Sequence, residues 1–344
     1  MYSVIDRQTN GVKWTWACRV LRQKKFNVDT ISDTPPVAGD LGLFRVEQIG
    51  YHATLLLADS KKLRIWPGDH VVGVFGNRYA TDAYEAEVTG TEDLSLLTAG
   101  GMVGTVKSRH QKMARPTTVT FVGFLNDDDG CRINVKAATF RRARPREAVR
   151  NLFLVIGTAM NSGKTTASTK LVKGLVDQGR RVAGCKLTGS VSNRDQDEML
   201  SAGPLCAADF SDYGFPSTYL CSREELVALF DTMLADVQRQ SPEITIMEVA
   251  DGFLQRETAM LLAEPAVRRA VKGIVVTADC AASALYGVEH LRRLGYPVVA
   301  VSGAFTSAPL FVGEFRAHSD VPVASSAGNG SDLARCVAEI VGPR

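Results

Sequence analysis

Residues 157–166, with the sequence Gly-Thr-Ala-Met-Asn-Ser-Gly-Lys-Thr-Thr, limit the fold of this chain more than any other segment. An apolar run at residues 152–155 precedes them, and apolar residues recur at helical spacing over residues 171–176. The pattern predicts a strand, a short loop and a helix in that order. Backbone N–H groups of such a loop, together with those at the helix start, bind phosphate. The segment therefore predicts a nucleotide-binding loop.

The individual residues of the segment have expected roles. Lys164 is expected to reach the β and γ phosphates, and Thr165 to place its hydroxyl on Mg²⁺. One position departs from the common pattern G-x-x-x-x-G-K-[ST]: Thr158 stands where the first glycine is expected, and Gly157 comes one residue earlier. We interpret this as a variant loop. The residues predicted to bind the nucleotide are Asn161, Ser162, Gly163, Lys164, Thr165 and Thr166.

Length and composition limit the class of protein. A chain of 344 residues is long enough for two domains. Its net charge of +3, from 40 basic and 37 acidic residues, gives no strong attraction to nucleic acid or to membranes. The seven cysteines are scattered and never form C-x-x-C, which disfavours a disulfide framework and a zinc site. No apolar run is long enough for a membrane helix. We predict a cytoplasmic protein without a membrane partner.

The N-terminal half has the sequence pattern of short β-strands. Residues 1–38 are predicted to be an extension, and residues 39–145 a small all-β domain with short strands separated by turn signals. Such spacing is typical of a small barrel or sandwich, folds that often serve for binding. The charged, proline-containing stretch at residues 140–147 predicts the domain boundary.

Residues 146–344 alternate short apolar strands with helices, among them a helix over residues 256–270 and a short strand near residues 321–324. This pattern predicts a doubly wound, mostly parallel α/β domain. Ligands bind beyond the carboxyl ends of the strands in such sheets. Lys186 and Glu248 each end a predicted strand, so both are expected near the phosphate loop. Glu248 is the preferred carboxylate for Mg²⁺, and Asp195 or Asp197 the next candidate.

These residues together resemble a known family. Gly157-Thr158, Ser162-Gly163-Lys164-Thr165-Thr166, a strand ending in Lys186, then Asp197, then Glu248 with a glycine soon after, are similar to the P-loop amidoligase and dethiobiotin synthetase group, which includes the cobyrinic acid amide synthases. The resemblance covers about residues 150–325. It implies phosphate and substrate binding by Lys164 and Lys186, and Mg²⁺ binding by Thr165, Asp197 and Glu248.

The resemblance has three departures. An aspartate of dethiobiotin synthetases is replaced by Ala159, and their Glu-Gly-Ala-Gly-Gly pattern is Glu-Val-Ala-Asp-Gly at residues 248–252. The N-terminal β domain is foreign to those enzymes. Residues 158–162 also contain no lysine, which disfavours the partition-type ATPases that carry one there.

Three functions follow as hypotheses. The first is an ATP- and Mg²⁺-dependent ligase or kinase that activates a small, anionic, carboxylate-type substrate, with Lys164, Lys186 and Glu248 as catalytic residues. The second is a regulatory or chaperone-like NTPase in which hydrolysis moves the β domain. The third is a polynucleotide kinase-like enzyme, which the near-neutral charge disfavours. The sequence does not exclude GTP as the nucleotide, and it leaves a homodimer open.

Overall fold

The structure is a computed structural model that describes residues 4–6, 11–21, 25–31, 34–145, 149–325 and 327–343. The chain forms two compact units. The first consists of Met1–Arg141, Ser190–Asn193 and Phe210–Leu220, and the second of Arg142–Gly189, Arg194–Asp209 and Cys221–Arg344. Part of the predicted boundary, at residues 146–147, lies outside the described residues. Two short segments of the C-terminal half therefore belong to the first unit, which the sequence did not indicate.

The described part of the first unit is built mainly of strands. They are β1 (Val4–Asp6), β2 (Val12–Trp14), β3 (Lys25–Asp29), β4 (Leu41–Gln48), β5 (Thr54–Leu56), β6 (Lys62–Arg64), β7 (His70–Phe75), β8 (Tyr84–Glu87), β9 (Leu94–Leu96), β10 (Met102–Arg109) and β11 (Thr117–Asn126), followed by the short helix α1 (Val135–Thr139).

Strand pairing closes a small barrel. β11 pairs with β4, β4 with β7, β7 with β10, and β10 with β9, which pairs back with β11. Of the predicted alternatives, barrel or sandwich, the pairing is that of a barrel. β1, β2 and β3 join the same sheet, so the described parts of residues 1–38, predicted to be an extension, contribute strands to it.

Alternate side chains of β4 and β7 enter two apolar cores, as the two-residue period of a strand requires. On β7, Val71 and Phe75 belong to one core, and Val72 and Val74 to the other. Both faces of β7 are buried from Val71 to Phe75, so this strand is a continuous apolar run rather than an alternating one.

The second unit is a parallel α/β sheet. Its strands are β12 (Leu152–Gly157), β13 (Val182–Lys186), β14 (Cys206–Asp209), β15 (Ile244–Val249), β16 (Val271–Thr277) and β17 (Val298–Ser302). Its helices are α2 (Lys164–Asp177), α3 (Arg194–Ser201), α4 (Arg223–Gln238), α5 (Arg256–Ala263), α6 (Pro265–Ala270), α7 (Ala281–Arg293), α8 (Pro309–His318) and α9 (Ser331–Val341).

The strand order is β14-β13-β15-β12-β16-β17, and every pair is parallel. The predicted α/β class is therefore confirmed. β12 lies between β15 and β16, so the residues that follow these three strands meet at one edge of the sheet. The apolar core beside α2 and α9 includes Leu171, Val172 and Leu175, the residues whose spacing predicted a helix.

Some elements differ from the prediction. The helix predicted over residues 256–270 is two helices, because Pro265 cannot continue α5 and begins α6 instead. The strand predicted near residues 321–324 is a single bridge from Val323 to Val301. Helix α3, strand β14 and helix α8 were not predicted. No helix within the described parts of the chain is long and apolar enough to cross a membrane.

Candidate nucleotide-binding site

The predicted loop connects the central strand β12 to helix α2. Two of its residues have left-handed backbone conformations, Asn161 with φ 61° and Gly163 with φ 98°. Asparagine and glycine are the residues that adopt this conformation most readily. The helix begins at Lys164, and the first N–H groups of any helix have no acceptor within it. The loop therefore ends at a set of N–H donors suited to an anion.

Glycine is required at position 157 for close packing, although it lies one residue before the first glycine position of the common pattern. A Cβ atom at this residue would lie 2.3 Å from Ser162 Oγ and 2.9 Å from Lys164 Nζ. Both distances are too short for a side chain, so only glycine lets the loop and the lysine pack here. The shifted glycine thus has a clear packing role in the variant loop.

Lys164 lies across this loop, as expected from the motif. Its Nζ donates a hydrogen bond to Ala159 O at 2.9 Å, and the residue is only 7% exposed. Burial lowers the pKa of Lys164, whereas the negative charges of Asp251 and Glu248 act in the opposite direction. Lys164 is therefore a buried cation that two carboxylates help to keep charged.

Thr165 lies between two carboxylates. Its Oγ1 is 3.1 Å from Asp195 Oδ1 and 3.1 Å from Glu248 Oε1. A hydroxyl has one proton and can donate it to only one of these oxygens at a time. Two acidic side chains thus converge on a single donor, an arrangement that a cation bound at the hydroxyl oxygen would stabilise.

Glu248 is held from its other side by Ser168. Glu248 is 1% exposed, and its Oε2 lies 2.8 Å from the hydroxyl of Ser168, one helical turn after Lys164. A buried carboxylate is costly unless it is hydrogen-bonded. Ser168 therefore fixes Glu248 so that the other oxygen faces Thr165. Sequence reasoning missed Ser168, although its spacing of three from Thr165 places both on one face of α2.

Of the two aspartates that the sequence left open, Asp195 lies in the site. It contacts Thr165 and forms an ion pair with Lys186, the residue that ends β13. Asp197, predicted to be a metal ligand, is exposed on α3. Residues two apart on a helix point in different directions, so both aspartates cannot face the loop. The structure thus places Asp195, rather than Asp197, beside the predicted metal position.

The loop is also supported from the next two strands. Ser162 Oγ lies 2.9 Å from the hydroxyl of Thr277, at the end of β16. After β17, Ala304 N donates to Ser162 O at 3.1 Å, and Gly303, with φ 104°, leaves no room for a Cβ because one would lie 2.2 Å from that same oxygen. Among the predicted nucleotide-binding residues, Asn161 and Thr166 are exposed at this edge.

The donors around Thr165 fit Mg²⁺. A hydroxyl and two carboxylates are oxygen ligands of the kind that this ion prefers, and it usually keeps other positions for water and substrate phosphates. Among the described residues, no group of three or more His, Cys, Asp or Glu side chains could hold a metal ion by itself. Thr165, Asp195 and Glu248 would hold Mg²⁺ together with water and phosphate oxygens.

Comparison with solved structures gives weak similarities. The signal recognition particle receptor FtsY from Elizabethkingia anophelis is 15% identical, with 57% of this chain and 68% of that chain covered and a TM-score of 0.34. The 54 kDa signal recognition particle protein from Aeropyrum pernix, solved with GDP, is 18% identical over 58% of this chain and 47% of that chain, with a TM-score of 0.36. The kinase domain of Escherichia coli tyrosine kinase ETK is 14% identical over 44% and 66%, with a TM-score of 0.34.

No family model matches the sequence, and no curated protein matches it. At TM-scores this low the similarities add nothing to the site, and they do not single out the dethiobiotin synthetase group. The loop, the helix that follows it and the parallel sheet show by themselves that the second unit has the fold of a P-loop NTPase domain.

Proposed function

We propose that the second unit binds a magnesium nucleoside triphosphate and transfers its γ-phosphoryl group. The observation that carries this proposal is the position of Thr165, whose hydroxyl lies 3.1 Å from both Asp195 and Glu248 at the first turn of the loop helix. Phosphoryl transfer needs mainly positioning and charge neutralisation, and the residues at this edge offer both.

Individual residues have separate roles in the proposed phosphoryl transfer. Lys164 now bonds to Ala159 O, and on binding its ammonium group would exchange that carbonyl for oxygens of the β and γ phosphates. Ser168 keeps Glu248 aimed at Thr165. Magnesium, when bound, neutralises charge that develops on the phosphates during transfer. Thr165, Asp195 and Glu248 would hold it, directly or through water.

We further propose that the acceptor is a small acidic molecule of the carboxylate type, as the resemblance to the amidoligases suggests, and that ATP is the nucleotide. Lys186 supports this finer proposal. It is 8% exposed and paired with Asp195. If Asp195 coordinates a metal ion instead of pairing with Lys186, the ammonium group of Lys186 becomes available to bind an anionic acceptor.

A second candidate function is a regulatory NTPase, and one feature of the chain path favours it. The chain enters the first unit at Ser190 and returns to the second at Arg194, directly before Asp195. Nucleotide-dependent movement of Asp195 would act on the residues covalently joined to it. Hydrogen exchange at residues 190–193 that changes on nucleotide addition, together with turnover stimulated by a protein rather than by a carboxylate, would favour this function.

The main proposal is tested by calorimetry with Mg-ATP and Mg-GTP. Lys164→Ala is expected to weaken binding at least tenfold and to abolish turnover, because hydrogen bonds to charged groups contribute about 1.5–3 kcal/mol each. The matched control is Lys173→Ala, a lysine on the same helix that is exposed and paired with Asp177. It should bind normally. Equal affinity of wild type and Lys164→Ala would refute the proposal.

The metal role is tested with Glu248→Gln. This change keeps the shape of the side chain and removes its charge, so turnover should need a higher Mg²⁺ concentration while nucleotide binding changes less. An unchanged Mg²⁺ dependence would show that Glu248 does not act on the metal.

A further inference from the structure

A third carboxylate, Asp251, lies at the phosphate edge without belonging to the pair around Thr165. It follows β15 by two residues and is half-buried. Its negative charge, like that of Glu248, opposes the lowering of the Lys164 pKa by burial. Asp251 is not among the residues proposed to bind phosphate or Mg²⁺.

The turn that carries Asp251 is fixed from both sides. The carbonyl of Ala250 accepts hydrogen bonds from Thr188 Oγ1 at 2.6 Å and from Thr258 Oγ1 at 2.8 Å, and both threonines are buried. A carbonyl oxygen has two lone pairs, and the two hydroxyl groups occupy both. They hold the backbone before Asp251 in one position.

The residues after Asp251 pack directly on the phosphate loop. Phe253 N donates to Gly157 O at 3.1 Å. A Cβ at Gly252 would lie 2.7 Å from Thr158 O and 3.0 Å from Ala159 Cα, so this close approach requires glycine. The backbone that carries Asp251 is therefore held beside the loop residue that Lys164 contacts, Ala159, where the terminal phosphate is expected.

We propose that Asp251 is the catalytic base, which accepts the proton of an O–H or N–H nucleophile as that nucleophile attacks the γ-phosphorus. The inference rests on the proposed function and narrows it to proton-bearing acceptors, with water as the simplest member. In the step, the nucleophile's oxygen or nitrogen bonds to phosphorus, and the bond from phosphorus to the β–γ bridging oxygen breaks. The nucleoside diphosphate leaves with that electron pair, and the proton moves to Asp251.

A carboxylate acceptor uses the same base one step later. A carboxylate attacks phosphorus without losing a proton, but the amine that then attacks the acyl phosphate must lose one. The C–N bond forms, phosphate leaves with the electrons of the C–O bond, and the amine proton passes to Asp251. Water, a hydroxyl group and an amine thus all need a proton acceptor at the position of Asp251.

The test uses Mg-ATP in water with the full-length chain, so no unidentified substrate is needed. Asp251→Asn should lower the rate constant of ATP hydrolysis about 100-fold, the usual size of a general-base effect. Calorimetric affinity for Mg-ATP and the Mg²⁺ dependence should stay within about twofold of wild type. Asp251→Glu should recover part of the rate, and added formate should restore hydrolysis by Asp251→Ala, which a purely structural residue would not allow.

The matched control is Asp279→Asn, an exposed carboxylate two residues beyond β16 that bonds to Ser283. It should hydrolyse ATP at the wild-type rate. Hydrolysis that survives in Asp251→Asn, a shifted Mg²⁺ dependence, or a wild type that binds Mg-ATP but never hydrolyses it would overturn the inference and leave the proposed nucleotide site intact. Absence of Mg-nucleotide binding by the wild type would instead refute the proposed function itself.

Discussion

His52 is a partly buried titratable side chain whose charged neighbour, Arg78, is positive. One ring nitrogen, Nε2, lies 2.9 Å from Leu97 O, and the guanidinium of Arg78 bonds to the same carbonyl. Burial, with a smaller effect from Arg78, lowers the pKa of His52 to about 4. The folded first unit therefore keeps this histidine neutral under conditions in which an unfolded chain would protonate it.

The first prediction concerns pH and stability. Between pH 6.5 and about 4 the unfolded chain binds a proton at His52 and the folded chain does not, so stability falls as the pH falls. From pH 7 to pH 5 we expect this residue alone to lower the free energy of unfolding by about 2 kcal/mol. Denaturant unfolding at a series of pH values measures it.

His52→Gln, whose amide can still donate to Leu97 O, should flatten that dependence. His110→Gln is the matched control, because His110 is exposed on the same unit. A pH dependence that is the same in wild type and His52→Gln would contradict the prediction.

At the scale of elements, the phosphate edge is a set of strand ends that support one another across the sheet. The loop after β12 is bonded to Thr277 at the end of β16 and to Ala304 after β17, and Gly157 at the end of β12 accepts a hydrogen bond from Phe253 after β15. Glycines at positions 157, 252 and 303 allow these loops to approach within backbone distance. A substitution at any one of these glycines is therefore expected to displace the predicted phosphate-binding loop.

Gly157→Ala tests this arrangement. The added methyl group would overlap Ser162 Oγ and crowd Lys164, so the loop must move. Overpacking of this kind costs about 1–3 kcal/mol. We expect a lower melting temperature and at least tenfold weaker binding of Mg-ATP.

The matched control is Gly313→Ala in α8, where nothing lies within 4 Å of an added Cβ. Alanine is the better helix former by about 1 kcal/mol, so this variant should be as stable as wild type or more stable, with unchanged binding. If Gly157→Ala binds as well as the control, the packing role of the shifted glycine is wrong.

Elements with a strong local pattern were predicted well. The order of β12, loop and α2 follows from the sequence alone, as do the positions of Lys186 and Glu248 at strand ends, since parallel strands bring their carboxyl ends to one edge. Helix α3 gave no such signal, because only Met199 among its residues is buried. Without that helix, the choice between Asp195 and Asp197 could not be made.

Contacts between residues that are far apart in the sequence could also not be predicted. Ser168 and Thr277 are hydroxyl residues without any motif, and they gain meaning only through contacts with Glu248 and Ser162. In the first unit, the barrel depends on the short strand β9, whose three residues are too few for a periodic pattern.

At the scale of the whole molecule, the two units are not consecutive stretches of chain. Val191 belongs to an apolar core of the first unit, and its N–H bonds to Pro216 O. Phe215 is 1% exposed and packs edge-on against Phe140, with ring centroids 5.2 Å apart. Residues encoded within the nucleotide-binding half thus complete the β unit.

This interleaving predicts the result of a simple truncation. A chain of residues 142–344 would carry the buried residues Val191, Phe210 and Phe215 without the rest of the unit to which they belong. We expect it to bind an apolar dye and to aggregate. A matched chain in which residues 190–193 and 210–220 are replaced by Gly-Ser linkers of equal length should bind less dye and remain monodisperse by light scattering. Equal dye binding by both chains would show that these segments do not cause the defect.

The same chain path has a consequence for biosynthesis. A ribosome that has released only residues 1–141 has not yet made Phe210–Leu220, so the β unit cannot complete its core at that stage. Its last pieces emerge after β12, α2 and β13 have already left the exit tunnel. The N-terminal half therefore stays incompletely folded while the first half of the nucleotide-binding sheet is translated.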